Sequence, residues 1–433
     1  MSCLYQSRLS KEITLSERNK FIIGDINNNK DIECVSNEDI IKQICYRLEP
    51  SSFFDRNFNE VDDKNFFKRV DEFKIISKSL YEIVYTLVQF DIDNSIYLEV
   101  LYCCSMYLGD EENNKWSSVE TRNISKTIID ILNKKLNEND KTKDTKDTNT
   151  NNENLLVNKY YEEILVNKIK VLFNQPYRGS KTKKDFKNNI YDIQLWKTDH
   201  PASVYALYWL TYSVDVHYIN NCFSQMIPII LTLIDDYQIP YKLIGVKLMD
   251  YCIIHHTDPA QIRLTGLANV FLEALRLCLS FHSNPELMDE TLPCIISLIK
   301  LMVNYNEPQN SPEFFSLIEK IITEDIIKGL SLSIGKSSAV IYLKHLPLMI
   351  DNLGIVSVRY LQLFIGPCCE ILTFNYGNYE NQYWASNLLL SFINTCIPRL
   401  SKYIGMIMES TAESWRQLKK SESFKKDFNN KGV

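Results

Sequence analysis

The sequence predicts an all-α protein, and three observations carry that prediction. A helical unit recurs roughly every forty-five residues through the second half, in stretches beginning near Cys222, Leu267, Phe314 and Val358. Each stretch reads as an apolar helix, a short polar turn and a second apolar helix. Glycine is sparse, with 12 in 433 residues, and strong alternating strand runs and βα repeats are missing from the pattern. One helix pair cannot bury its apolar faces alone and must stack on neighbours. The expected architecture is therefore an α-solenoid of HEAT-like helical repeats, which grows in one dimension and so accommodates a chain of this length without one globular core.

The first half is less regular. Helical spacing of apolar residues runs over 38–48, 65–91, 95–108 and 117–136, giving an amino-terminal helical region over 1–136. The last of these helices opens on Ser117-x-x-Glu120, the pattern of a capping box. Residues 137–154 (NENDKTKDTKDTNTNNEN) hold no apolar side chain and are expected to form a disordered polar loop, the alternative being a neutral insertion with no role. A helix over 155–173 and a basic loop complete the segment 155–189.

The solenoid itself is expected over 190–403. Its clearest unit opens with CFSQMIPIILTLID, in which Gln225, Pro228, Thr232 and Asp235 form one narrow polar stripe. The turn Asp235-Asp236-Tyr237 follows, and a second helix starts near Pro240, a residue suited to a first helical position. That helix carries two apolar rows, Leu243/Val246/Met249/Ile253 and Ile244/Leu248/Cys252. A surface helix shows one apolar stripe, so a helix with one polar stripe is covered on most sides. The next unit repeats the design, with Asn269, Glu273, Arg276 and Ser280 on its polar line. Asn284 and Pro285 read as N-cap and first helical residue, and Pro293 predicts a kink. Ser311-Pro312 opens the third unit, and Lys336-Ser337-Ser338 precedes its second helix. The fourth passes through Asn375-Tyr376-Gly377-Asn378 to Arg399, and a helix and basic tail occupy 404–433.

Composition narrows the function. The chain has no G-x-G-x-x-G, Walker loop, G-x-S-x-G or H-E-x-x-H, so the common enzyme motifs are missing and no catalytic residue or cofactor is expected. The net charge of −6 argues against a dedicated nucleic-acid binder. Two basic stretches, Arg178 to Lys187 and Arg416 to Lys431, read as solvated linker and tail, or as a nuclear-import or phosphate-contacting patch. The twelve cysteines lack C-x-x-C spacing, and Cys252, Cys278, Cys294 and Cys396 sit in apolar helix faces as small buried hydrophobes. His255-His256-Thr257-Asp258 could begin a metal site, but the pair also suits a helix end, and zinc needs three or four ligands. Asp258-Pro259 reads as an N-cap and the first residue of a short helix. The amino terminus has no apolar signal core, and no apolar run approaches the ~20 residues that span a bilayer. The expected location is the cytoplasm or the nucleus.

Several segments carry a family resemblance. Gln194-Leu195-Trp196-Lys197 with Pro201, then IPIILTLIDD at 227–236 and Lys242-x-x-Gly245, resemble the Tel-two-interacting protein two family. Gly266-Leu267-x-x-Val270, Glu273-Ala274-Leu275, Arg359-Tyr360-Leu361 and Ile397-Pro398-Arg399 extend the match in order, so that it covers 194–400. The chain departs from the family pattern at Leu195, where a proline is usual. The resemblance implies a non-catalytic subunit of the Triple T (TTT) co-chaperone complex. It implies as partners two larger HEAT-repeat proteins, the Tel-two protein and the Tel-two-interacting protein one. Through them it implies support for phosphatidylinositol-3-kinase-related kinases of the mTOR, ATM and ATR class, handed to the Hsp-ninety machinery.

Seven residues are candidates for partner contact: Trp196, Lys197, Asp235, Asp236, Lys242, Arg359 and Arg399. Each has a structural alternative. Asp235 and Asp236 could cap a helix start and pair with Lys242 between repeats. Trp196 could cover the apolar end of the solenoid or insert into a partner. Arg359 and Arg399 could be surface contacts or helix-end caps. Two other functions stay open, a HEAT-repeat transport or cargo adaptor and an enzyme with a site in the amino-terminal half.

Overall fold

The computed structural model describes residues 36–50, 64–90, 92–110, 114–141, 154–173, 195–255, 258–303, 311–333, 338–374 and 379–420. Every regular element among them is helical. The basic stretch at 178–187, the turn at 375–378 and the tail beyond 420 lie outside the described residues, as do His256, Thr257 and most of the polar run at 142–153.

The amino-terminal helices are α1 (Asn37–Leu48), α2 (Lys64–Val88), α3 (Ser95–Leu108) and α4 (Val119–Lys141). They match the periodic segments, except that α4 runs five residues into the polar segment expected to be a loop. Its start also differs by one residue from the capping box read at Ser117. Thr121 N donates to Ser118 Oγ at 3.2 Å and Ser118 N donates to Thr121 Oγ1 at 2.8 Å, so the reciprocal cap is Ser118 with Thr121. Ser117 has turned inward instead, and its hydroxyl donates to Tyr107 O at 2.7 Å. Helix α5 (Leu155–Ile164) continues through a π-helical segment, Leu165–Lys170, to Val171–Phe173.

Beyond the single turn α6 (Leu195–Thr198) and α7 (Ala202–Ser213), four helix pairs follow. They are α8 (Val216–Asp235) with α9 (Ile239–Leu248), then, after the short α10 (Pro259–Thr265), α11 (Leu267–Cys278) with α12 (Pro285–Met302). Next come α13 (Pro312–Lys320) with α14 (Ser338–Leu353), and α15 (Leu361–Phe374) with α16 (Tyr379–Cys396). Helix α9 extends as a π-helical segment, Met249–His255, and α13 does so over Ile321–Ile326 before ending at Ile327–Ser333. The final helix is α17 (Ile404–Lys420). Local signals place several of these ends. Pro240, Pro285 and Pro312 sit in first turns, and Asp258 accepts from Ala260 N at 2.9 Å as the cap of α10. Asn284 precedes Pro285 as expected but makes no side-chain cap bond. Gly266, at φ 69°, ends α10 and opens α11 in one left-handed residue, a geometry glycine adopts without strain.

The helices pack as a ladder. Helices α3, α7, α9, α12, α14 and α16 each touch the next, forming one row. On the other side α4 meets α5, α5 meets α8, α8 meets α11, and α15 meets α17. A single hydrophobic cluster follows the ladder from Ile41 to Ile407. The expected division between an amino-terminal region ending at 136 and a solenoid beginning at 190 is therefore not a break in the core. Helix α3 is the reason: twelve of its fourteen residues are buried, and such a helix needs neighbours on every side. It finds one of them in α7, across the chain division that composition drew.

The stretch Val340–Phe374 is long and apolar enough to cross a membrane by composition, contrary to the expectation from run length. It comprises α14, a 3-10 segment (Gly354–Tyr360) and α15, with Gly354 left-handed at φ 56°. Tyr342, Leu346, Met349, Ile350, Phe364 and Ile365 on it are core residues, packed through α12, α16 and α17. Its hydrophobicity is that of an inner row.

A histidine ties α1 to the stack. His200 Nδ1, in the turn before α7, contacts Glu49 Oε1 at the end of α1. Its hydrogen bond to Glu49 raises the imidazole above its usual 6.5, with burial opposing. A raised folded-state value means that the contribution is complete below 6.5 and fades as pH climbs through the raised value. Thermal denaturation between pH 5.5 and 8.5 should therefore show wild type losing an advantage over His200→Gln as pH rises. An advantage growing with pH would contradict the assignment.

Candidate partner-binding surface

Trp196 sits in α6 and is buried, with 1% of its surface exposed. Its indole stacks on Phe173 at 5.0 Å and 7°, and Tyr241 meets its edge at 5.0 Å and 84°. The tryptophan thus seals the joint between the end of α5 and the start of α9, and its face is not open to a partner. Lys197 lies beside it. Its Nζ reaches both carboxylate oxygens of Asp236 at 2.8 Å and lies 3.8 Å from the Tyr237 ring centre. Asp236 Oδ1 also accepts from Gln238 N at 2.7 Å, so one carboxylate holds the lysine and turns the chain into α9. The pair is enclosed, with side-chain exposures of 13% and 4%. Of the two readings open for Asp236, the geometry matches the turn carboxylate that starts a helix, with Lys197 and not Lys242 as its ionic partner, because aromatic rings and the α8–α9 turn close over the pair. Asp235, one residue earlier, is exposed.

Lys242 is buried as well. Its Nζ donates to Ile234 O near the end of α8 and stands 4.8 Å from the Phe281 ring centre. It satisfies a helix-end carbonyl that α8 itself leaves open. Three residues later, Gly245 lets α9 close on α8: a Cβ there would lie 2.8 Å from Ile234 N. The spacing Lys-x-x-Gly therefore describes how this helix pair closes.

Arg359 and Arg399 remain near the surface. Arg359 Nη1 reaches Glu319 at 2.6 Å while its side chain stays 66% exposed, an ion pair between α13 and the 3-10 segment. Arg399, in a second 3-10 segment (Ile397–Lys402), is exposed. The geometry adds one residue that sequence placed only on a polar stripe. Arg276 bridges α11 to the π-helical turn of α13, with Nε 2.7 Å from Asp325 and Nη2 2.7 Å from Glu324. Glu273 joins through Arg276 and Lys320. The Asp325 hydrogen bond raises the guanidinium above its usual range, with Glu324 adding to it. Arg276→Ala should lower stability by about 2 kcal/mol, since charged hydrogen bonds to a half-buried carboxylate are lost. A denaturation midpoint unchanged from wild type would place the network in the class of inert surface pairs.

The cysteines read as apolar helix residues are buried, namely Cys252, Cys278, Cys294 and Cys396. Burial raises Cys278 to about 11, which keeps the thiol protonated and unreactive. The His255 and His256 side chains lie outside the described residues, and among those described no group of three metal-ligating side chains comes together.

Comparison with known proteins decides the family. A model described as the Tti2 family matches residues 100–375. This chain belongs to the Tti2 family. The match begins inside α3, so it reaches back well before the segments from 194 that carried the resemblance, and it stops before Ile397-Pro398-Arg399. Starting there makes structural sense, because α3 is the buried centre of the first part of the ladder. Among curated proteins no relative matches. Membership of the Tti2 family supports, in general terms, a scaffold role as a subunit of the TTT complex. For a Tti2-family scaffold, the residues quoted from sequence divide into two groups. Trp196, Lys197, Asp236 and Lys242 hold its helix pairs together, while Asp235, Arg359 and Arg399 stand at its surface.

Proposed function

We propose that this protein is a non-catalytic scaffold subunit of the TTT complex, built as an α-solenoid of HEAT-like repeats. Its partners in this reading are two larger HEAT-repeat proteins, the Tel-two protein and the Tel-two-interacting protein one. The assembly supports the folding and stability of kinases of the mTOR, ATM and ATR class through the Hsp-ninety machinery, in the cytoplasm or nucleus. The family match over residues 100–375 carries the proposal. The ladder supports it physically, because stacked helix ends and turns offer an extended surface that a second solenoid can cover, and covering it stabilises both chains. Such a task needs no reacting group.

The test is affinity purification of the tagged full chain from its own cells, with mass spectrometry of what accompanies it. Two large helical-repeat proteins in near-equal amount, with kinases of this class below them, are the expected result. Recovery of a small GTPase or nuclear-pore repeats would instead establish a transport adaptor.

A further inference from the structure

Among the described residues, helix α17 packs on α15 and on the 3-10 segment before it. Ile407, Ser410 and Ser414 are buried, and Gln417 Nε2 donates to Thr373 O on α15 at 2.9 Å. Away from that face, Ile404, Met408, Thr411, Trp415 and Lys419 follow one another at i, i+4, i+7, i+11 and i+15, a single line along a helix. Ile404 is 50% exposed, Met408 66% and Trp415 55%. Ile397, just before the helix, is 64% exposed. The end of a helical stack ordinarily turns a polar face outward. This one turns an apolar line outward.

Charge says what would cover it. Between 397 and 420 stand Arg399, Lys402, Arg416, Lys419 and Lys420 against Glu409 and Glu413, in a chain whose net charge is −6. Arg416 and Glu413 pair with one another, which leaves Arg399, Lys402, Lys419 and Lys420 against Glu409. Lys419 Nζ lies 5.3 Å from the Trp415 ring centre, so a cation closes the apolar line at its carboxy-terminal end.

We propose that the outward face of α17 docks another protein through a helix whose apolar side chains are flanked by aspartate and glutamate. The proposal rests on the scaffold reading and adds a surface and a partner chemistry to it. A second copy is disfavoured, because two α17 faces would set like charges together. A lipid surface is disfavoured, because the four large apolar side chains Ile397, Ile404, Met408 and Trp415 form a narrow line and fall short of the broad apolar face that an interfacial helix buries.

The test places a photo-crosslinking amino acid at Met408 in the tagged full chain, expressed in its own cells, and maps the joined peptide. A peptide from an acid-flanked helix of a co-purifying protein is expected. A peptide from a second copy, from residues 421–433 of the same chain, or from a segment lacking acids overturns the proposal, as does the absence of any cross-link. The variant Met408→Glu/Lys419→Glu should recover that protein about tenfold less well, with an unchanged melting temperature, since both side chains are exposed. Equal recovery overturns the docking face alone, whereas a wild-type chain that recovers no helical-repeat protein defeats the scaffold reading. Co-sedimentation of the wild-type chain with vesicles of phosphatidylcholine and phosphatidylserine in equal parts, abolished in the variant, would assign the face to lipid and overturn the proposal.

Discussion

Gly109→Ala is expected to destabilise the chain by about 3 kcal/mol, the upper range for forcing atoms into a filled site. Gly109 follows α3 and is buried against α7, where an added Cβ would stand 2.8 Å from the carbonyl carbon of Tyr205 and 3.1 Å from its Cα. The obstacle is main chain, so no side-chain rotation relieves it. Either α7 moves away or α3 does, and both are walled in. Trp116 meets the ring of Tyr205 edge-on at 4.9 Å, and its Nε1 donates to Met106 O at 3.1 Å. Asn114 Nδ2 donates to Met106 O and Gly109 O, each at 3.0 Å, so the carbonyls ending α3 are already satisfied from the same side. Gly366→Ala is the control. Beyond its chain neighbours its Cβ meets nothing within 4 Å; it lies inside α15 but directly before Pro367, which disfavours the helical region for a residue with a Cβ, so the propensity gain is offset and the exchange should stay within about 1 kcal/mol of wild type. Urea denaturation of both variants decides the matter. A Gly109→Ala midpoint equal to wild type would mean that α3 and α7 do not share a rigid joint.

Asp236→Ala should cost about 3–5 kcal/mol, because it leaves the enclosed Lys197 ammonium without a counter-charge and frees Gln238 N at the turn. Asp235→Ala, at an exposed site, should stay within about 0.5 kcal/mol of wild type. Two adjacent, chemically identical residues thus separate by several kcal/mol on burial alone. Replacing both charges, as Lys197→Met/Asp236→Leu, should recover most of the loss, since no unpaired charge then remains. Melting temperature with partner recovery provides the readout. If Asp236→Ala kept its melting temperature and lost its partners, the carboxylate would be a binding residue after all.

This pair illustrates why site residues were hard to read from sequence. The stripe Gln225/Pro228/Thr232/Asp235 marks the least buried face of its helix, exposed at Pro228 and Asp235 and half-buried at Gln225 and Thr232, and periodicity alone reveals it. Asp236 stands one residue past the helix, where periodicity ends, and its environment is made by Lys197, thirty-nine positions earlier. Trp196 posed the same difficulty. A tryptophan in a short segment before a helix gives no local sign of its neighbours, and Phe173 reaches it across residues that carry no apolar pattern. Gly109 carries no signal in the sequence and Arg276 shows only as a polar-stripe position, because the importance of each lies in what approaches it from another helix.

What the sequence by itself determined is the all-helical class, many helix limits and the recurrence of helix pairs, read from near Cys222, Leu267, Phe314 and Val358 and found to start at Val216, Leu267, Pro312 and Leu361. These follow from apolar spacing, capping residues and prolines, which act within a few residues along the chain. Only the tertiary structure decided that α3 belongs to the same ladder as α7. It alone placed Trp196, Lys197, Asp236 and Lys242 inward and left an apolar line exposed on α17. The physical reason is common to all three. Burial and charge pairing depend on which helix faces which, and that relation is set by packing between segments far apart in the chain.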